Sequence, residues 1–297
     1  MASETLVSDP AAVSPPPLRP YEAPPRGPVR PPPKGDGVPW VIMNHPPNVK
    51  IFFRSGFGVV YQSREHPERL CKVPLPLKSY LAMHETERRI FTRLGEHGGH
   101  PNLVRVTGMD DHGIWMERAL YGCLRVFYDQ NGGPSAVPVP LATRLQWCED
   151  VARVLSFVHS HGVRHADLSG RNLLVDADMR ILLCDFSGSA IDDQKAAISA
   201  EAGYRYPSET DEDRFPSMRS ELHALGSTLY EIVAAQEVHA GQAKEVVEQL
   251  IKDGKYPDVA DLALSTVIQK CWRGEYTSAD EVANAIAECR EAGATRV

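Results

Sequence analysis

From about residue 40 the apolar residues come in short runs separated by turn-forming residues. Val41-Ile42, Ile51-Phe52-Phe53, Val59-Val60-Tyr61 and Leu70-Cys71-Lys72-Val73 each read as a strand. The period then lengthens to that of a helix, carried by Leu81, Glu85, Arg88, Phe91 and Leu94, and Gly95 stands where a helix-ending glycine belongs. Val104-Arg105-Val106 and Ile114-Trp115-Met116 supply two further strands. Downstream the pattern turns helical. Leu141, Leu145, Cys148, Ala152 and Leu155 form one stripe, and Leu222 to Val233 is apolar on nearly every face, the mark of a buried central helix. A last helix opens at Ser278-Ala279-Asp280-Glu281, where Ser278 and Glu281 have the spacing of a reciprocal capping box. Between these helices, Leu173-Leu174-Val175 and Ile181-Leu182-Leu183-Cys184 flank the turn-prone Asp176-Ala177-Asp178, which reads as a hairpin. The prediction is an α+β protein with a small β lobe carrying one helix (39–117) and a larger, mainly helical lobe (118–297).

Composition changes the picture at the start of the chain. Residues 1–38 hold nearly half of the 24 prolines, including Pro15-Pro16-Pro17-Leu18-Arg19-Pro20 and Arg30-Pro31-Pro32-Pro33-Lys34. With no apolar periodicity to offset the entropy of ordering, this tail is expected to be disordered with polyproline-II character. Its PxxP repeats beside arginine suit an SH3-type partner. A net charge of −7 and a pI of about 5.9 argue against a general nucleic-acid or anionic-membrane surface. No run of 18 apolar residues occurs, and Met1-Ala2-Ser3-Glu4 lacks a basic-then-apolar signal. The six cysteines are scattered without a CxxC pair and read as reduced thiols, which suits a cytoplasmic location and leaves the nucleus open. His159, His161 and His165 crowd one region, but they follow an amphipathic helix into a turn at Gly162, so His165 is read as a packed core residue.

The candidate chemistry lies around the predicted hairpin. In His165-Ala166-Asp167-Leu168-Ser169-Gly170-Arg171-Asn172, Asp167 precedes Asn172 by 5 positions, and Asp185 follows Asn172 by 13. Pairing the two strands would bring Asn172 and Asp185 together at the outer ends of the hairpin. An Asp and an Asn side by side, with a second Asp nearby, suit an oxygen-liganded Mg²⁺ that grips phosphates. Cys184, just before Asp185, is either a reactive thiol beside the metal site or a small residue ending a buried strand; the second reading is preferred.

This spacing resembles the catalytic loop (HRDLxxxxN) and the DFG segment of the eukaryotic protein kinases. His100-Pro101-Asn102-Leu103-Val104, the run Glu221 to Glu231 and Cys271-Trp272 resemble three further blocks of that family. The resemblance implies a two-lobed kinase-like fold that transfers the γ-phosphoryl group of Mg-ATP to a protein hydroxyl, with Ser/Thr favoured over Tyr. Lys72 would hold the α- and β-phosphates, and Glu87, rather than Glu85, would pair with it from the helix. Asp167 would orient the substrate hydroxyl and accept its proton, while Asn172 and Asp185 bind Mg²⁺. Gly56, Gly58 and Val60 would form the loop over the phosphates. Met116 would be the gatekeeper, with backbone groups of Glu117 and Ala119 reading the adenine edge above Leu174. ATP and a protein substrate are the implied partners.

The departures from the pattern are specific. Ala166 replaces the usual Arg, which implies activity independent of activation-loop phosphorylation. Ser187 replaces the DFG glycine, where a side chain restricts the backbone. Phe53 and Ser55 replace two glycines of the phosphate loop, and Leu70 replaces an alanine that contacts adenine. Tyr204-Arg205-Tyr206-Pro207-Ser208-Glu209 resembles a drifted APE segment. Arg171 resembles the tyrosine-kinase form of the loop, and Asp211-Glu212-Asp213 would favour basic peptides or form a solvated loop. The HxDLxxxxN form, Ser187 and the Ala224 to Ile232 run look most like divergent kinases of filamentous fungi. Two alternatives remain: a pseudokinase scaffold with a spoiled nucleotide pocket, and a small-molecule kinase of the aminoglycoside phosphotransferase type. The APE-like and Glu221-to-Glu231 blocks argue against the second.

Overall fold

The computed structural model describes residues 17–22, 44–135, 137–207 and 216–294. The first lobe is a five-stranded antiparallel sheet of β1 (Val49–Arg54), β2 (Gly58–Ser63), β3 (Arg69–Pro74), β4 (Val106–Met109) and β5 (Ile114–Glu117), in the order β1-β2-β3-β5-β4. Alternation along β2 and β3 sorts their side chains by face. Val59, Tyr61, Cys71 and Val73 form a small buried cluster on one side. Val60, Leu70 and Lys72 therefore point to the other, with Val60 directly opposite Lys72. The Val41-Ile42 strand expected from sequence lies outside the described residues.

Helix α1 (Lys78–Glu96) packs its buried stripe of Met83, Glu87, Ile90, Phe91 and Leu94 inward. It runs past Gly95, and the turn that ends it uses Gly98 and Gly99, both at positive φ. In the Gly95-Glu96-His97-Gly98-Gly99 stretch sequence reasoning thus chose the first of three glycines. The strand expected at Val104 starts later, at Val106. The chain before it is stitched across the lobe boundary instead: Asn102 C=O accepts the Leu183 N–H at 2.7 Å, Val104 N–H donates to Leu183 C=O at 2.9 Å, and the Asn102 amide donates to Ile181 C=O.

The second lobe comprises α2 (Leu124–Gln130), α3 (Leu141–Ser160), α4 (Met218–Ala234), α5 (Lys244–Lys252), α6 (Ser265–Arg273) and α7 (Ala279–Ala294). Two small ribbons join them, β6 (Val163–Arg164) with β9 (Ala190–Ile191), and β7 (Leu173–Val175) with β8 (Ile181–Leu183). Helix α4 is buried from Glu221 to Val233, as its apolar sequence demands. The capping box of α7 is formed differently from expectation. Ser278 Oγ accepts the Glu281 N–H, but the Glu281 carboxylate reaches back to the amide and hydroxyl of Thr277, one residue further out.

The main core is continuous from α1 through the helical lobe, taking in Ile90, Phe91 and Leu94 with Leu168, Phe186, Leu225 and Ile268. The β4–β5 side of the sheet joins this core through Ile114, and the β2–β3 side has a separate four-residue cluster. Part of the Pro-rich tail is docked rather than free: residues 17–22 lie against the folded domain, with Leu18 packed on the main core. The rest of the expected disordered tail, Ser208-Glu209 of the drifted APE segment and the acidic patch 211–213 lie outside the described residues.

Candidate active site

Lys72 sits at the centre of the cleft between the lobes. Its Nζ donates to Glu87 Oε1 at 2.8 Å and to Asp185 Oδ1 at 2.7 Å. Glu87 is 1% exposed, whereas Glu85, on another face of α1, is 67% exposed, which settles their competition for the lysine. The second bond to Glu87 comes from the chain after β8, where Phe186 N–H donates to Oε1 at 3.0 Å. Burial works against the Lys72 charge, but Asp185 and Glu87 outweigh it and hold the ammonium well above its ordinary range. Burial also works against Asp185, yet Lys72 and the Ser187 hydroxyl and amide hold its carboxyl well below the usual carboxylate range. For Glu87 burial wins, raising its carboxyl despite Lys72.

Pairing of β7 with β8 places Asn172 and Asp185 at one end of a ribbon, and Cys184 N–H donates to Asn172 C=O at 2.9 Å. The Asn172 amide nitrogen donates to Asp167 twice, to its carbonyl at 2.7 Å and to Oδ2 at 3.0 Å. That fixes the orientation of both side chains and leaves Asn172 Oδ1 as an acceptor. Asp185 spends Oδ1 on Lys72 and Ser187, which leaves Oδ2. Among the described residues no group of three or more His, Cys, Asp or Glu is placed to hold a metal. One carboxylate and one amide oxygen fit Mg²⁺, which keeps waters and takes its other ligands from phosphates.

The catalytic loop hangs from α4. Glu221 accepts the His165 amide at 2.7 Å, the Ala166 amide at 2.9 Å and faces His159 Nε2 at 3.1 Å. Burial opposes its ionisation, but His159 and these contacts keep the Glu221 carboxyl below its ordinary value. Ala166 and Asp185 both hold positive φ, 69° and 63°, a strained conformation for non-glycine residues that the surrounding bonds enforce. His165 is wholly buried, as expected; its ring meets the Cys184 carbonyl at 3.0 Å and lies edge-on to Phe186. Phe186 in turn lies edge-on to Phe91, at 5.3 Å, so a column of rings joins the catalytic loop to α1. Asp167 is raised above its ordinary value by burial, against the pull of Arg171.

Ser187 differs from expectation. Its backbone is not at positive φ, and its hydroxyl caps Asp185 at 2.7 Å. The strained residue is Asp185 itself. The Cys184 thiol is pushed well up by burial, which favours the strand-end reading over the reactive one.

The roof of the cleft is arranged otherwise. Ser55 Oγ accepts the amides of Phe57 at 3.3 Å and Gly58 at 3.0 Å, and Ser55 N–H donates to Gly58 C=O. The amide expected to face phosphate at Gly58 is therefore turned into the β1–β2 turn. Gly58 is a glycine for another reason: a Cβ there would lie 2.6 Å from Val73 C=O on β3. Gly56 has open space around it. Leu70 pairs with Met116, Glu117 and Ala119 lie where β5 passes into the hinge, and Leu174 is brought beside the hinge by a bridge to Cys123. A cavity of about 650 Å³ also touches Glu117 and Ala119, but its walls come from the α1–β4 loop and the Asp176–Arg180 turn, and none of the catalytic groups lines it.

Sequence reasoning missed a second polar network. Arg125 binds Glu201, Glu231 and Glu237. Glu231 also accepts the Gly170 amide at 2.8 Å and the Tyr204 hydroxyl, while Glu201 takes Ser169 Oγ and Arg171. Arg171 in turn reaches Asp167 at 3.3 Å. The signal in the sequence was Glu231, an acid within the largely apolar Leu222 to Val233 run.

The comparisons with known proteins bear on this arrangement. Serine/threonine/tyrosine-protein kinase HT1 of Arabidopsis thaliana is 24% identical over 77% of this chain and 60% of its own length. LysM domain receptor-like kinase 10 of Oryza sativa is 26% identical over 80% of this chain and 41% of its own. Salt tolerance receptor-like cytoplasmic kinase 1, also from rice, is 27% identical over 72% and 64%. The chain thus spans 60% and 41% of the lengths of the first two relatives. The family model described as protein tyrosine and serine/threonine kinase matches residues 54–284, which include both lobes and every cleft residue named above. With that match on the cleft geometry, the chain belongs to the protein tyrosine and serine/threonine kinase family.

Proposed function

We propose that the protein transfers the γ-phosphoryl group of Mg-ATP to a hydroxyl of a protein substrate, Ser or Thr in the first instance. The observation that carries this reading is the assembled set: Lys72 bridges Glu87 and Asp185 while Asn172 holds Asp167 in place. A scaffold with a spoiled nucleotide pocket has no need to keep both the Lys72–Glu87–Asp185 set and the Asn172–Asp167 pair. Phosphoryl transfer asks chiefly for positioning and charge neutralisation. Lys72, held charged by two carboxylates, would bind the phosphates from above. Asn172 Oδ1 and Asp185 Oδ2 would hold Mg²⁺, which neutralises the phosphate oxygens when bound. Asp167, half-fixed by Asn172 and Arg171, would align the acceptor hydroxyl and take its proton. Burial raises its carboxyl above the ordinary 3.8, which makes it the better acceptor.

Glu221 holds the Ala166 amide where the family pattern carries Arg, so the loop is anchored without reading a phosphate. The account therefore includes activity without activation-loop phosphorylation. The likeness to divergent fungal kinases is a finer placement, and it rests on the HxDLxxxxN form, Ser187 and the Ala224 to Ile232 run. A cytoplasmic site, and an SH3-type partner for the part of the tail beyond residue 22, belong to the same proposal.

One experiment tests the chemistry. Transfer of labelled γ-phosphate from Mg-ATP to a generic basic protein is expected from the full chain, and Asp167→Asn is expected to lose about 10²- to 10⁴-fold in rate while still binding nucleotide. Full retention of transfer in Asp167→Asn would overturn the assignment of the base.

A further inference from the structure

Residues 17–22 of the Pro-rich tail cross the outer mouth of the cleft. The Tyr21 N–H donates to Leu120 C=O at 3.0 Å, and the Arg118 guanidinium donates to Tyr21 C=O at 2.7 Å. Both backbone groups of one tail residue are thus tied to the hinge. The Tyr21 ring stands edge-on to Phe52 of β1, with centroids 5.5 Å apart, and Arg118 lies over the same Phe52 ring at 5.2 Å. Its other contact is Gly122, which has φ +73°; a Cβ there would come within 2.9 Å of Tyr21 Cγ, so the ring fills the space a side chain would need. Upstream, Arg19 N–H donates to Asn131 Oδ1 at 2.9 Å beyond α2, and Leu18 packs against the main core.

These contacts span three parts of the cleft. Phe52 directly precedes Phe53, the first phosphate-loop position, and so belongs to the roof. Leu120 and Gly122 continue the hinge beyond Ala119. Cys123, the next residue, bridges to Leu174, the floor position. Tyr21 therefore stands between roof and floor at the edge where nucleotide would enter. The bonded amides, Arg19 and Tyr21, alternate with Pro20, and that is how an extended, proline-fixed segment lies along a surface.

We propose that residues 18–22 form an intramolecular strap that gates the nucleotide cleft, docked through Tyr21 on Phe52, Arg118, Leu120 and Gly122, and displaced when Mg-ATP seats. This rests on the reading of the cleft as an ATP site. Apparent nucleotide affinity is lowered by the fraction of molecules whose cleft is open. A strap closed about nine-tenths of the time lowers apparent affinity about tenfold, so a substitution that releases it tightens nucleotide binding by about that factor.

The test uses the full chain and two readouts. Calorimetric titration with Mg-ATP compares the natural protein with Tyr21→Ala, and amide hydrogen exchange follows the Tyr21 N–H with and without saturating Mg-ATP. The strap predicts about tenfold tighter binding in Tyr21→Ala, and a Tyr21 amide protected without nucleotide that exchanges faster with it. Binding by Tyr21→Ala alone also supports a gate, one that is closed more tightly. Equal or weaker binding by Tyr21→Ala, or a Tyr21 amide equally or better protected with nucleotide, overturns the strap and leaves the ATP reading standing. Binding by neither protein overturns both.

Discussion

The floor and the roof of the cleft are built to different standards. On the floor, the loop that carries Asp167 and Asn172 is fixed by bonds that end in the buried helix α4, where Glu221 alone takes two loop amides and faces His159, and Asp185 is held by Lys72 and Ser187. The ring column of Phe91, Phe186 and His165 joins the same core. On the roof, β2 and β3 share a separate cluster of four buried side chains. Phe53 is 48% exposed, and the β1–β2 turn is closed by the hydroxyl and amide of one serine, Ser55. The difference separates two properties. On the proposed reading, the geometry of the reacting groups would be set by the core and lost only with stability, whereas nucleotide affinity would be set by a thin layer that can change without unfolding the protein.

Lys72→Met attacks a side chain that links floor and roof, joining β3 to Asp185 and to Glu87 of α1. It leaves Glu87 buried without its cation, and breaking a buried pair in this way costs about 3–5 kcal/mol. Urea denaturation is expected to show that loss with an unchanged dependence on denaturant. A loss below about 1 kcal/mol would mean that the lysine is not the structural link between floor and roof. Ser55→Gly affects the roof alone. Freeing the Phe57 and Gly58 amides from the serine hydroxyl changes a bond of about 1 kcal/mol, and KM for ATP is expected to fall several-fold with kcat and thermal stability little altered. A rise in KM would mean that the Ser55 turn is already the phosphate-binding form.

The smallest expected effect concerns the activation segment. Three hydroxyl residues of this segment serve the fold: Ser187 caps Asp185, Ser189 donates to His165 C=O at 2.8 Å, and Tyr204 is bound to buried Glu231. Replacing them would damage the floor whether or not they are phosphorylated. Ser199 is exposed, and Ser199→Ala is expected to leave turnover within about twofold, since surface changes away from special features are small. Its loss of activity, restored by Ser199→Asp, would show that the floor needs a phosphate after all.

Much of the floor was legible because its signals are local. The spacing of Asp167, Asn172 and Asp185 needs only a hairpin to become a site, and the period of α1 separates Glu87 from Glu85. What could not be read depends on contacts between distant segments. Glu221 was recognisable as the start of a family-like block, but not as the acceptor of the loop amides. Ser55 looked like a lost glycine and is a turn cap. Ser187 looked like a restriction and is a partner of Asp185. Composition made the tail look free, yet Leu18 and Tyr21 are two apolar anchors in it, and what they dock on lies far along the chain. Glycine at position 58 suggested loop freedom, whereas the close approach of β3 is what requires it.

Thermal unfolding with and without Mg-ATP tests the central claim, an ATP cleft with an assembled floor, most directly. At a hundred times its dissociation constant the nucleotide stabilises by about 2.7 kcal/mol. For a domain of this size that is a rise of about 5–10 °C in Tm, and the rise is expected to need Mg²⁺ and to shrink in Asp185→Asn. No rise at millimolar Mg-ATP, in either the natural protein or Tyr21→Ala, would contradict the account.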